Sequence, residues 1–234
     1  TQFRVIVTYI RLLFLPVNQN LDYDYPVYHS LFDPPVFFSF LLLLSLLGTA
    51  SYLLFYSRRS STNSQLSTLN SQLKLIAFGV LWFFLTLSVE SSIIPIRDVI
   101  FEHRVYLPSV GFFLSAVLGI GAVLDRVRIR EVGKGGVFVL VFLSLSVATY
   151  QRNGIWKDNV TLWEDVVGKA PNKARGHNNL GFAYYKGQGR LEEAIREYQT
   201  ALQLQPDYAL AYNNLGVAYQ GQGRLEEALQ EYER

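Results

Sequence analysis

The sequence of 234 residues is half hydrophobic and only 17% charged, and its net charge of +2 is not gathered into a basic block, which argues against a nucleic-acid-binding surface. There is no Cys, so disulfides, thiolate metal sites and cysteine nucleophiles are excluded. The averages conceal two halves: residues 1–150 are rich in Leu, Phe and Val, whereas 157–234 are polar and repetitive, so composition predicts two domains. With no initiator Met and an end inside a helical pattern, the sequence reads as an internal stretch of a longer protein. Residues 1–17 are therefore not read as a signal peptide.

Residues 1–17 are apolar but carry Arg4 and Arg11, and Arg4, Thr8 and Arg11 fall at i, i+4, i+7 on one helical face. A polar stripe on an apolar helix predicts an interfacial helix lying on the membrane; the alternative is the end of a spanning helix. Pro16 ends it, and 18–35 is a loop with Asp22, Asp24, Asp33 and several Tyr. Residues 36–56 carry no charge and are long enough to cross a hydrocarbon core, which takes about 20 helical residues. Further spans are predicted at 75–94, 108–124 and 134–150, the last lengthened if Lys134 snorkels to the interface. The loop 57–74 carries Arg58, Arg59 and Lys74 with no acid, and 125–134 is also basic on balance. Excess positive charge places both in the cytoplasm and everything on the other side, including the C-terminal half, outside.

Between the second and third spans lies 95–111, PIRDVIFEHRVYLPSVG, preceded by Glu90 inside the second span. An ionisable group at that depth is a functional candidate unless it reaches water near the interface. If 97–106 is helical, Arg97 and Arg104 share a face about 10 Å apart along the axis. Two planar, permanently charged forks there suit the phosphate of a lipid headgroup. The alternative is that Arg97 pairs with Asp98, and Glu102 with Arg104, as structural anchors. His103 has no companion at ligand spacing, and Tyr106 has the position of an interfacial anchor.

Two copies of one pattern fill the C-terminal half, starting at His177 and Tyr212. Leu191 and Leu225 are 34 apart, as are Ala194 and Ala228, while Leu180 and Leu215 are 35 apart because the first copy has one extra residue in its turn. This is the tetratricopeptide-repeat signature, with Leu180, Gly181, Tyr184, Ala194, Tyr198, Ala201 and Pro206 at consensus positions. A degenerate helix is predicted at 153–171, with Trp156 and Trp163 capping the stack, then repeat one at 174–207 and a truncated repeat two at 208–234. Such arrays need about three units or more, so further repeats are expected beyond. Asn178, Asn179, Phe182, Asn213 and Asn214 fall on the first helices, which line a concave groove. An amide there can pair with a peptide backbone without reading its sequence; the alternative is repeat consensus with no ligand. The predicted fold is all-α: polytopic transmembrane helices over 1–152, then a tetratricopeptide-repeat α-solenoid over 153–234.

The order of these parts resembles the transmembrane and tetratricopeptide-repeat O-mannosyltransferases and their bacterial relatives, within the glycosyltransferase-C superfamily. Residues 9–16 and 22–25 carry the resemblance, and above all Glu102, Arg104, Tyr106, Leu107, Pro108, Ser109 and Gly111. It implies a polyprenyl-phosphate-linked sugar as donor, a protein hydroxyl as acceptor and chemistry at the outer face of the membrane. It implies part of a donor site at Arg97, Glu102 and Arg104, beside which His103 and Tyr106 are further candidates, and repeats that recruit a protein or peptide. The family's acidic base or metal ligand stands in an outside loop N-terminal to this sequence, so no catalytic residue and no metal ligand is assigned here. A divalent cation would belong to that preceding region. The expected location is a bacterial inner membrane facing the periplasm, or the endoplasmic reticulum facing its lumen. Two other readings stand beside it: a membrane-anchored repeat scaffold without enzymatic activity, and a polymerase or ligase of lipid-linked glycans.

Overall fold

The computed structural model describes residues 1–58, 64–90 and 105–234. Among them the protein is all-α, with no strand. The helices are α1 (Gln2–Phe14), α2 (Pro34–Tyr56), α3 (Ser64–Glu90), α4 (Tyr106–Arg126), α5 (Glu131–Asn153), α6 (Asn159–Lys169), α7 (Ala174–Gln188), α8 (Leu191–Leu204), α9 (Ala209–Gly221) and α10 (Leu225–Tyr232). They fall into two compact units, one of Thr1–Gln19 and Tyr25–Leu145, the other of Asn20–Asp24 and Ser146–Arg234.

In the first unit, α2, α3, α4 and α5 are long and apolar enough to cross a membrane. Their apolar windows bury at most 28% of their residues inside the protein, so side chains such as Phe38, Leu44, Leu85, Val123 and Phe142 face outwards. Water would not support so continuous an apolar surface; lipid does. α3 begins well before its apolar stretch. The Ser/Asn/Gln-rich segment after Arg58 is helical from Ser64, because Leu66, Leu69 and Leu73 keep helical spacing through the polar residues.

The tightest packing in this unit is between α3 and α4. A Cβ on Gly79 would fall on the Gly111 carbonyl oxygen and the Ser115 hydroxyl, and one on Gly111 would fall on the Gly79 carbonyl oxygen and on Trp82. Gly111 and Ser115 are one turn apart, so a row of small residues lets the two backbones touch. The contact is sealed by polar groups: Ser115 Oγ donates to the Ile76 carbonyl at 2.8 Å, and Trp82 Nε1 donates to the Leu107 carbonyl at 3.2 Å.

Helix α1 ends ahead of Pro16, which forces Leu15 into an extended conformation (φ −132°, ψ 89°). Val5, Tyr9 and Leu12 form its buried face, and Phe3 packs on Phe40 of α2 with ring centroids 5.2 Å apart. Its polar face is covered by the loop that follows. Thr8 donates to the Arg4 carbonyl at 3.0 Å, so the Tyr25 hydroxyl donates to Thr8 Oγ1 at 2.9 Å. Arg4 binds the Tyr28 hydroxyl and lies over the Tyr28 ring, 5.1 Å from its centroid. Of the three polar residues on that stripe, Arg11 is the exposed one.

In the second unit, a 3-10 turn (Gly154–Lys157) leads to Asp158, whose extended backbone (φ −150°, ψ 163°) breaks the chain before α6. The continuous helix expected over 153–171 is therefore two elements, and Trp156 and Trp163 sit on different ones. The reason is local: the Asp158 carboxylate accepts from Thr161 N and Thr161 Oγ1, both at 2.9 Å, and so starts a new helix at Asn159. Trp163 is half-buried against the repeat core, while Trp156 remains 51% exposed.

Helices α7–α8 and α9–α10 are the two repeats. A Cβ on Gly181 would lie 2.8 Å from the Tyr198 ring and 3.0 Å from the Ala194 carbonyl, and Gly216 meets Tyr232 in the same way. Arg190 lies over the Tyr184 ring at 4.3 Å and Arg224 over Tyr219 at 4.2 Å, so the turn contacts repeat as well. Both turns pass through a left-handed glycine, Gly189 (φ 60°) and Gly223 (φ 76°), a conformation that carries little penalty without a Cβ. The extra residue of the first repeat is accommodated at the end of α7, which is 15 residues long against 13 for α9.

Candidate functional site

Four of the five residues expected to hold a lipid phosphate, Arg97, Glu102, His103 and Arg104, lie outside the described residues. The fifth, Tyr106, opens α4 and is 75% exposed. Glu90 is the last residue of α3. Within the membrane unit, α1, α2, α3 and α4 enclose a crevice of about 260 Å³ lined by Phe14, Leu46, Val80, Phe83, Phe112 and other apolar side chains. Ser115 is the polar residue on its wall, and its hydroxyl proton is already donated to Ile76. The sequence signalled no such crevice, because it forms only where four separate helices meet.

The repeats hold a second concavity. A groove of about 790 Å³ runs from the 3-10 turn across α6 to α7. Asn179 and Phe182 line it, together with Trp156, Trp163, Lys157 and Lys186. The other three residues expected in a peptide groove stand elsewhere. Asn178 is buried at 1% exposure, Asn213 is exposed and Asn214 is half-buried; none of them lines this groove. Asn214 Nδ2 donates to Asn178 Oδ1 at 2.9 Å, and Asn178 Nδ2 donates to Asn179 Oδ1 at 3.2 Å. A relay of amides thus joins α9 to α7 and fixes which way the Asn179 amide points: its carbonyl accepts, leaving its NH₂ to donate. Helical spacing places neighbouring asparagines on nearby faces but cannot say which one turns inward.

Two ionisable groups of this unit, Asp22 and His177, have partners that the sequence did not indicate. Asp22, in the segment Asn20–Asp24, is 4% exposed and accepts from Lys173 at 2.9 Å and from Arg175 Nε and NH2, both at 2.7 Å. Burial opposes its ionisation, but the hydrogen bonds from Arg175 and Lys173 outweigh it and hold the carboxyl below its usual range. The partners are 151 and 153 residues away in sequence, beyond the reach of any local pattern. His177, at the head of the repeat pattern, is 7% exposed. Its Nδ1 is 2.7 Å from Glu197 Oε2 and its Nε2 is 2.8 Å from the Pro171 carbonyl. Both neighbours are acceptors, so the protonated ring, with a donor on each nitrogen, satisfies both; the Glu197 hydrogen bond raises its pKa against the effect of burial. A raised folded-state pKa means stability present in full below the unfolded value of about 6.5 and lost as pH rises through the folded value. We expect amide exchange in α7 and α8 to quicken as pH is raised through that range, after correction for intrinsic exchange, and His177→Ala to abolish the pH-dependent part. A profile identical in the variant would show that His177 does not carry it.

Comparison with known proteins places these parts. A family model described as a TPR repeat matches residues 185–223. Protein O-mannosyl-transferase TMTC1 of Mus musculus is 35% identical over 119 residues, 50% of this chain and 12% of its own length. Its Homo sapiens counterpart is 35% identical over 121 residues, covering 50% and 13%. Over this stretch the chain is similar in sequence to the TMTC proteins. Protein O-mannosyl-transferase TMTC3 of Homo sapiens is 27% identical over 186 residues, which is 78% of this chain and 18% of that protein. The chain therefore spans between about an eighth and a sixth of the length of these TMTC relatives. With four apolar helices and this similarity it is an integral membrane protein that carries tetratricopeptide repeats, a fold built for binding other proteins.

Proposed function

We propose that this chain belongs to an integral-membrane glycosyltransferase that moves a sugar from a polyprenyl-phosphate carrier to protein hydroxyl groups at the outer face, with the repeats recruiting the acceptor. The observation that carries the reading is the similarity to TMTC3 over 78% of the chain, a length that must include apolar helices and reach into the repeat-bearing unit. The reaction forms a bond from the acceptor oxygen to the anomeric carbon and breaks the bond from that carbon to the phosphate oxygen. The phosphate leaves with the bonding electron pair, and the hydroxyl proton passes to a base. Charge therefore builds on the phosphate as it departs, and Arg97 and Arg104 are the groups suited to stabilise it. The apolar crevice between α1 and α4 fits an isoprenoid chain, since every residue on it except Ser115 is apolar. The basic side chains Arg126, Arg128 and Arg130 stand exposed between α4 and α5, which supports a cytoplasmic position for that connection and an outer position for the repeats.

The pair of arginines provides the test. Replacing both Arg97 and Arg104 with alanine is expected to weaken binding of a polyprenyl phosphate about a hundredfold or more in detergent or lipid discs, each lost charge-assisted contact removing about 1.5–3 kcal/mol. Binding of an uncharged polyprenol should not change. Equal affinity of wild type and variant for the phosphate would remove these residues from the donor site.

A further inference from the structure

The groove at the head of the repeats carries an excess of positive charge. In the unit of Asn20–Asp24 and Ser146–Arg234, most basic side chains are paired: Arg152 and Lys169 with Asp165, Lys173 and Arg175 with Asp22, Arg190 with Glu193, Arg224 with Glu227. Lys157 and Lys186, the two that line the groove, form no ion pair with a described carboxylate. The one carboxylate on the groove wall, Asp158, accepts from both the backbone and the hydroxyl of Thr161 at the start of α6 and keeps its charge beside Lys157, so the three charged side chains on the wall sum to a net positive charge. Asn179 is held by Asn178 so that it presents its NH₂. The polar groups offered to an occupant are thus two ammonium ions, the Asn179 amide donor and the exposed Asn159 amide, against the single negative charge of Asp158. Beside them stand exposed rings, Trp156 at 51% and Phe182 at 47%. A donor-rich, cationic wall leaves an occupant's carboxylates and carbonyls well satisfied and an occupant's ammonium groups unpaired.

We propose that this groove is the docking site for an acidic peptide segment, with its carboxylates on Lys157 and Lys186, a backbone carbonyl on the Asn179 amide, and a bulky apolar side chain against Trp156 and Phe182. The proposal rests on the reading of the repeats as the acceptor-recruiting part and adds the charge that the recruited segment carries. Exposed aromatic rings are enriched at protein-binding interfaces, and a cleft of this volume is within the roughly 300–1,000 Å³ typical of ligand sites. The charge steers the segment in, and the rings hold it.

The experiment uses the whole chain in phosphatidylcholine discs, whose zwitterionic surface adds no net charge of its own. Three fluorescein-labelled dodecapeptides share one central Phe, flanked by Asp and Glu in the first, by Asn and Gln in the second and by Lys in the third. Fluorescence anisotropy should give an acidic peptide bound about tenfold more tightly than its amide twin, a difference that shrinks as salt is raised from 50 to 500 mM on the order of the Debye screening. The Lys157→Glu/Lys186→Glu variant should lose that preference, and Trp156→Ala should weaken the acidic and amide peptides alike. Both lysines are exposed, so helicity should be unchanged. Acidic and amide peptides that bind equally, with Asn179→Ala weakening both, would overturn the acidic assignment and leave the recruiting role in place. If none of the three peptides binds, the recruiting role fails with it.

Discussion

Gly111→Leu is expected to force α3 and α4 apart and to lower the melting temperature of the membrane unit by about 10 °C or more. The backbone carbonyl of Gly79 and the indole of Trp82 already occupy the space a first side-chain carbon would need. A leucine adds four carbons where none fits, and the obstacle includes main chain, which cannot swing aside as a side-chain tip does. Inserting surplus atoms into a packed core costs about 1–3 kcal/mol when side chains can adjust. Here the helices must separate, so the upper end or beyond is expected, and about 3 kcal/mol corresponds to about 10 °C for a chain of this size. Separation would also break the Ser115–Ile76 and Trp82–Leu107 hydrogen bonds, which hydrocarbon cannot replace. The control is Gly119→Leu on the same helix, where a Cβ meets nothing within 4 Å. Melting of the two variants in detergent, followed by tryptophan emission, separates the cases. Equal melting temperatures would mean that the close approach of α3 and α4 does not hold the unit together.

Tyr198→Ala is expected to unfold the repeats, while Tyr198→Phe leaves them folded. Tyr198 is 1% exposed, its ring lies on Gly181 of the facing helix, and it shares a core with Leu180, Ala194, Ile195, Leu215 and Ala218. Removing a buried aromatic ring costs about 3–5 kcal/mol through lost transfer energy and the cavity left behind. A domain has about 5–15 kcal/mol in total, and repeats rely on their neighbours, so the loss should spread from α7–α8 into α9–α10. The phenylalanine variant keeps the ring and its volume. Hydrogen exchange of α7 to α10 is the measurement: protection lost throughout in the alanine variant and kept in the phenylalanine variant. Retained protection in both would show that the Gly181–Tyr198 contact is not what closes the repeat.

How much of the site was legible follows from how far apart its parts lie. Asn179 and Phe182 were marked by position within a repeat, and both reach the groove. Lys157 and Lys186 carried no signal, because 29 residues of chain separate them and only the turn before Asp158 and the pairing of α6 with α7 bring them to one cavity. Asp22 was noted as a loop acid; the roles of Lys173 and Arg175 as its partners required the fold. Trp156 and Trp163 fell at helical spacing, but the Asp158 cap separated them onto two elements.

By itself, the sequence determined what short-range physics decides. Uncharged stretches of about twenty residues define spanning helices, and a period of 34 residues with small residues at set places defines the repeats, because both depend on the chemistry of neighbours within a few turns. The tertiary structure decided what depends on which faces meet. Gly79 meets Gly111 because α3 and α4 pack there and not elsewhere; Asn178 turns inward because Asn214 of the next repeat reaches it; Lys157 and Lys186 share one wall because α6 packs on α7. Each of these is a choice among surfaces of comparable composition, made by shape and by hydrogen bonds that exist only once the helices have assembled.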